Sequence, residues 1–391
     1  MARRVGMEVS IAAAETVALL DVDVVAAYPI TPQTHIVEHL SELVADGQLD
    51  AEFVPVESEH SAMSVCVGAA AAGARTFTST SSQGYALMVE ICYIASSLRL
   101  PIVMALANRS MSAPISIWND HADMMLARDT GWIQTVAENG QEVVDLIMHA
   151  YRVAEDHRVL LPVIVNLDGF VLTHMIEPIQ LPTKEEVQAY VPPYKPLLRL
   201  DPDNPVTIGP VGVPEVYTEA KKAQDEAIKN AKPVILEAWD EFEKIFGRKY
   251  KPIETYKAED AEIILVTVGS ISETAMRAVD RMRAHGKRVG LARIRLFRPF
   301  PVEEFVDAVR GAKLIGVVER ALGFNGYTGP LCAELKSVLF DNGLNPYVWN
   351  FIAGLGGRDV TVEDFEEMAE CLEVKANKNE PMGYEIVNAR E

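Results

Sequence analysis

Short, almost wholly apolar runs that alternate with amphipathic stretches constrain this chain more than any other feature. Val22 to Ile30 is apolar apart from Asp23, the pattern of a strand covered on both faces. Ile36, Val37, Leu40, Leu43 and Val44 then fall on one helical stripe, opposite Glu38, His39 and Glu42. Phe53 to Val56 reads as a second strand, and Ser58 to Ala72 as a small-residue, deeply packed helix. Arg75 to Ser79, Ile102 to Ala107 and Val159 to Asn166 read as further strands. Ile91 to Ala107, the most apolar stretch, is broken by Arg99 and Pro101, so it predicts a helix, a turn and a strand, with no membrane insertion. Such β–α alternation predicts an α/β fold, a parallel sheet with helices on both faces.

The pattern changes near Leu181. Prolines become dense up to about Asp260, and one helix stands out, Pro214 to Lys244. A second alternation begins at Ile263: strand 263–267, helix 272–285, strand 288–294, helix 302–309, strand 313–318. It predicts a smaller doubly wound body that ends in a glycine-rich turn, Gly354-Leu355-Gly356-Gly357. The expected division is 1–180, a connector at 181–260 packed on the first body, and 261–391.

Charge and cysteine usage exclude several function classes. The 36 basic and 56 acidic residues leave a net charge of −20, which disfavours nucleic acid and anionic membrane as partners. Glu8 and Glu15 interrupt what would otherwise be a signal-like N-terminus, so a cytoplasmic protein is expected. No two of Cys66, Cys92, Cys332 and Cys371 lie within three residues of each other, so the chain lacks the spacing of iron–sulfur or zinc sites. Any redox metal centre belongs to another chain.

Ligands of an open parallel sheet bind outside the carboxyl ends of its strands, and four loops lie there. In Tyr28-Pro29-Ile30-Thr31-Pro32-Gln33-Thr34, Thr31 followed by Pro32 predicts a helix N-cap, whose free N–H groups can also face an anion. In Val56-Glu57-Ser58-Glu59-His60-Ser61, Glu59 suits a helix's first turn; buried beside small apolar residues, it is also a candidate proton donor or acceptor. Ser79-Thr80-Ser81-Ser82-Gln83-Gly84 is similar to a phosphate cradle but lacks P-loop spacing. Asn108-Arg109 offers either a carboxylate clamp or a structural ion pair. His121 and its neighbours Asp120 and Asp123 are too few for a convincing metal site.

In this order, these loops resemble those of the α subunits of multi-subunit pyruvate:ferredoxin oxidoreductases, within the 2-oxoacid:acceptor oxidoreductase family. The landmarks include Tyr28-Pro29-Ile30-Thr31-Pro32, Glu57-Ser58-Glu59-His60, Thr80-Ser81-Ser82-Gln83-Gly84 and Asn108-Arg109. They continue through Trp118-Asn119-Asp120-His121 and Arg128-Asp129-Thr130-Gly131-Trp132 to Gly247-Arg248-Lys249-Tyr250, Arg298-Pro299-Phe300-Pro301 and Gly354 to Asp359.

The resemblance implies that residues 1–180 form a thiamine-diphosphate pyrimidine-binding domain and 261–391 a transketolase C-terminal-like domain. Glu59 matches the carboxyl that hydrogen-bonds pyrimidine N1′, a catalytic and cofactor-binding role. Pro29 and Gln83 match further cofactor-binding positions, and Thr31 and Arg109 match those that hold the substrate carboxylate. The chain lacks the family's Gly-Asp-Gly magnesium motif; Leu167-Asp168-Gly169 is nearest and does not fit. The implied metal set of this chain is therefore empty. Magnesium and diphosphate are expected on a β subunit, and [4Fe-4S] clusters on γ and ferredoxin-like δ subunits or their equivalents. Pyruvate, coenzyme A and ferredoxin are the implied reactants.

A branch acting on oxalate has arginine in place of the threonine. Thr31 therefore points to a monocarboxylate, pyruvate first, with 2-oxoisovalerate as the alternative. A non-catalytic scaffold subunit and a cluster-free thiamine transferase are the competing readings.

Overall fold

Alternate residues of one central strand enter two different cores. Along Val103–Asn108, Val103, Ala105 and Ala107 face one cluster, and Met104 and Leu106 face the other. Period-2 side chains in a strand buried on both faces require helices on both sides. The computed structural model describes residues 3–324 and 326–390 and shows that arrangement. On one face, helices Val9–Leu19, Thr34–Ala45, Gly140–Ala154 and the C-terminal half of Pro214–Phe246 close the core. On the other lie Glu59–Ala71 and Ser82–Ser97.

Among the described residues there are two main sheets. The first has the spatial order 296–298, 133–136, 163–168, 103–108, 76–80, 24–27, 52–55. All its pairings are parallel except that of 296–298 with 133–136. The second has the order 384–386, 347–352, 314–319, 263–268, 289–294, 253–256, with 253–256 the antiparallel edge. A separate ribbon pairs Arg3–Glu8 with Ile176–Leu181. The expected α/β architecture is observed.

Several local expectations shift. Val9–Leu19, the segment with signal-like character, is a buried helix of the first body. Glu8 reaches His35 at 2.6 Å, and Glu15 reaches His39 at 2.8 Å. The strand expected to start at Val159 begins at Val163, because Leu160 takes a left-handed conformation with φ 45° and Pro162 follows it. Strand Ile253–Tyr256, read from sequence as part of the connector, hydrogen-bonds to the second sheet.

Two sequence landmarks turn out to be joints. Gly247 ends the long helix in the left-handed region, with φ 71°. Arg248 then reaches Asp145 with both Nε and Nη2, at 2.6 and 2.7 Å, and Tyr250 donates to the same carboxylate. Gly131 takes the left-handed region, with φ 79°, beside Gln224 of the long helix, whose amide donates to Ser96.

The two bodies are joined by buried charge. Arg293, on the second sheet, forks onto Glu142 at 2.8 and 2.9 Å, and Arg295 adds a bond at 2.7 Å. Burial alone would raise the Glu142 pKa, but the two arginines overcome this and lower it to about 2. A depressed carboxyl contributes stability above its unfolded value near 4.5, and this is lost as pH falls through the folded value. Removing one partner of such a cluster leaves buried charge uncompensated. Arg293→Met is therefore expected to destabilise the protein by about 3 kcal/mol, read as a lower unfolding midpoint in denaturant. A midpoint equal to wild type at pH 7 would show that the cluster does not hold the bodies together.

Candidate active site

The loops singled out in the sequence converge at the carboxyl edge of the first sheet. Strand Glu52–Pro55 leads into Ser58, whose side chain accepts from Ser61 N and starts the helix at Glu59. The Glu59 side chain turns inward and is only 7% exposed. Its carboxylate has no hydrogen-bond or ion-pair partner among the described residues. It lies over the first turn of helix Ser82–Ser97: a Cβ at Gly84 would stand 2.6 Å from Glu59 Oε1 and 2.5 Å from Thr80 Oγ1. Only glycine leaves room for that carboxylate. Thr80 Oγ1 and Ser81 Oγ are also buried and unpartnered. Buried polar groups are ordinarily satisfied, so these orphaned hydroxyls beside a carboxylate with no protein partner among the described residues fit a polar heterocycle bound at this spot.

Arg109 follows the neighbouring strand Val103–Asn108. Its Nε donates to Ser116 O at 3.0 Å and its Nη1 to Thr31 O at 2.8 Å. Nη2 has no hydrogen-bond partner among the described residues, and no carboxylate there pairs with this guanidinium. The structural ion pair left open by the sequence is thus not seen. Burial lowers the Arg109 pKa, while Asp123 and Glu59 oppose that shift; Glu59 and Arg109 lie close enough to feel each other's charge.

Thr31 is brought to Arg109 but does not cap a helix, contrary to the sequence expectation. The helix starts at Thr34 after Gln33, with no side-chain cap. Gln33 sets that start: fully buried, its amide donates to Tyr28 O and accepts from Ser79 Oγ. The Thr31 hydroxyl has no partner among the described residues. Pro29 is exposed just beyond strand Val24–Ala27, and Gln83 is half-buried, with its Oε1 2.6 Å from Ser82 Oγ. In the serine-rich loop Ser79 Oγ is spent on Gln33 and Ser82 N on Asp123, which leaves the Thr80 and Ser81 hydroxyls as its unpartnered side-chain groups among the described residues.

Sequence reasoning missed two organising carboxylates. Asp123 is fully buried and accepts from Ser82 N at 2.9 Å, Arg109 N at 3.0 Å and Asn108 Nδ2 at 3.0 Å. Asp168 accepts from Ser270 N, Ser270 Oγ and Arg320 of the second body, and bonds His121 at 2.7 Å. His121 and Asp123 therefore serve different partners, and Asp168 is an interdomain latch with both oxygens engaged. The turn Gly354–Gly357 also packs here: Gly357 N donates to Asn119 O, and a side chain at Gly357 would strike Trp118. The loop carrying Ser116 is thus braced by the second body. No sequence signal for these long-range pairings exists beyond isolated acidic residues near strand ends.

Comparison with known proteins places the chain in a family. Residues 15–240 match the model "Pyruvate flavodoxin/ferredoxin oxidoreductase, thiamine diphosphate-binding", and residues 261–365 match "Pyruvate:ferredoxin oxidoreductase core domain II". The chain is 51% identical over 367 residues to pyruvate synthase subunit PorA of Methanocaldococcus jannaschii, covering 93% of each chain. It is 45% identical over 353 residues to ketoisovalerate oxidoreductase subunit VorA of Pyrococcus horikoshii, covering 90% of this chain and 89% of the relative. The solved 2-oxoglutarate:ferredoxin oxidoreductase of Magnetococcus marinus superposes with a TM-score of 0.71 at 20% identity, covering 94% of this chain and 65% of that longer one; this likeness is one of fold. No helix among the described residues is long and apolar enough to cross a membrane. By the family models and the extent of its identity to PorA, the chain belongs to the pyruvate flavodoxin/ferredoxin oxidoreductase family.

Proposed function

We propose that this chain is the α subunit of a cytoplasmic pyruvate:ferredoxin oxidoreductase and carries the pyrimidine-facing half of its thiamine-diphosphate site. The observation that carries this reading is the convergence, at one sheet edge, of a buried unpartnered carboxylate (Glu59) and an arginine with no acidic partner (Arg109). Bound thiamine diphosphate supplies the carbon nucleophile that adds to the carbonyl of a 2-oxoacid. Glu59 holds a proton at pyrimidine N1′, and Gly84 leaves the space for it. Pro29 and Gln83, on adjacent loops, are assigned to the same ring. Arg109 and the Thr31 hydroxyl hold the substrate carboxylate and so orient the carbonyl, an entropic contribution. Arginine suits this task because its planar fork matches a carboxylate.

Asp168 is already committed on both oxygens, which supports placing magnesium and the diphosphate on a β subunit. The scattered cysteines support placing [4Fe-4S] clusters on γ and δ subunits that pass electrons to ferredoxin, with coenzyme A accepting the acyl group. The similarity to VorA favours one second reading, a branched 2-oxoacid such as 2-oxoisovalerate as substrate.

Two measurements test the proposal. The isolated chain, titrated calorimetrically with thiamine diphosphate and magnesium, is expected to bind weakly. Tight magnesium-dependent binding by this chain alone would contradict the shared site. The complex assembled with its partner subunits is expected to reduce ferredoxin with a higher kcat/KM for pyruvate than for 2-oxoisovalerate. The reverse order would reassign the substrate, and no 2-oxoacid-dependent reduction would leave a scaffold.

A further inference from the structure

Arg109 is fixed at its guanidinium by two carbonyls, but the position of its backbone depends on a different residue. Asp123 Oδ2 accepts from both Arg109 N and Ser82 N, at 3.0 and 2.9 Å. Its Oδ1 accepts from Asn108 Nδ2 at 3.0 Å and from Met124 N at 2.8 Å. One carboxylate thus ties the strand end that carries Arg109 to the helix start that carries Gln83 and Gly84.

The tie spans a strained point. Ser82 is a non-glycine residue in the left-handed region, with φ 47°, a conformation that persists only where surroundings enforce it. Asp123 holds its N–H, and the Ser110 carbonyl holds its hydroxyl at 2.5 Å. Released, Ser82 would relax and take the first turn beneath Glu59 with it. The carboxylate is costly to maintain: it is fully buried with no cation paired to it among the described residues, and burial raises its pKa to about 7. Burying an unpaired acid for packing alone is unfavourable. Three of its four N–H donors come from the two loops of the site, and the fourth, Met124 N, belongs to its own helix.

We propose that Asp123 is a positioning residue that sets substrate affinity through Arg109 and cofactor affinity through Ser82. This rests on the reading of Arg109 as the substrate-carboxylate residue. Asp123→Asn keeps the shape but turns one acceptor into a donor facing N–H groups, so both strand-end loops lose their common anchor. In the assembled complex it should raise KM for pyruvate about tenfold, the effect of one charge-assisted hydrogen bond, with a parallel rise in the Kd for thiamine diphosphate.

The decisive measurement is the same substitution in an Arg109→Ala background. There the pyruvate KM should no longer respond to Asp123→Asn, while the cofactor Kd still should. Asn108→Ala, which removes one of the four donors, gives a milder variant with a smaller shift in the same direction, should Asp123→Asn fail to fold. An equal KM increase in both backgrounds, or a lower melting temperature with KM and Kd unchanged in the folded variants, would overturn the proposal. If Arg109→Ala itself leaves KM unchanged, the failure belongs to the functional reading instead.

Discussion

Glu59→Gln is expected to cut turnover of the assembled complex by about 10²–10⁴-fold, the usual worth of a positioned acid or base, while leaving assembly intact. The amide is isosteric, so it fits the space that Gly84 leaves, where Glu59 Oε1 stands 2.6 Å from the position a Cβ would take. It cannot exchange a proton with a ring nitrogen as a carboxyl does. Since Glu59 has no protein partner to lose, the substitution breaks no internal bond and should leave the melting temperature near wild type. Exchange of the C2 proton of bound thiamine, followed by NMR, isolates this role from later steps. Slow exchange with normal cofactor affinity is the expected outcome; an exchange rate equal to wild type would remove Glu59 from its assignment.

The second large effect lies at Arg109. Arg109→Ala should lower kcat/KM for pyruvate by about 2–4 kcal/mol, a charged hydrogen bond plus lost positioning. Arg109→Lys keeps the charge but loses the fork, and should still impair the enzyme. Thr31→Val should cost about 1.5 kcal/mol, the low end for one hydrogen bond to a charged group. The structure sharpens that expectation: Thr31 meets Arg109 through its backbone carbonyl, which valine retains, and it caps no helix. The loss therefore falls on the ligand alone, and stability should hold. If both groups touch one carboxylate, the double variant loses less than the sum of the singles. Steady-state kinetics with pyruvate and thermal unfolding of all four variants settle this. Additive losses that follow stability would make Arg109 a purely structural residue.

Much of this was legible in the chain because it is local. Apolar runs such as Ile102 to Ala107 must be covered on both faces, and the intervening stripes supply the covers. Once strand and helix alternate in parallel, the loops bearing Thr31, Glu59, Gln83 and Arg109 must emerge at one edge. The residue types in those loops, read together, were sufficient to indicate the family.

The tertiary structure decided what depends on partners distant in sequence. Thr31 looked like a cap because Thr-Pro usually starts helices, but a buried Gln33 hydrogen-bonded to Tyr28 and Ser79 moved the start to Thr34. Asp168 looked like a failed magnesium motif and is a latch to Ser270 and Arg320, more than a hundred residues away. Asp123 looked like a minor member of a metal-like loop and is the anchor for two strand ends. Local pattern along the chain dictates the layers, the edge where ligands meet the sheet and the residue types placed there. Only the folded chain decided which carboxylates stay partnerless and which are spent on holding the site, because hydrogen-bond satisfaction in a buried interior is settled between segments and leaves no periodic trace in either one.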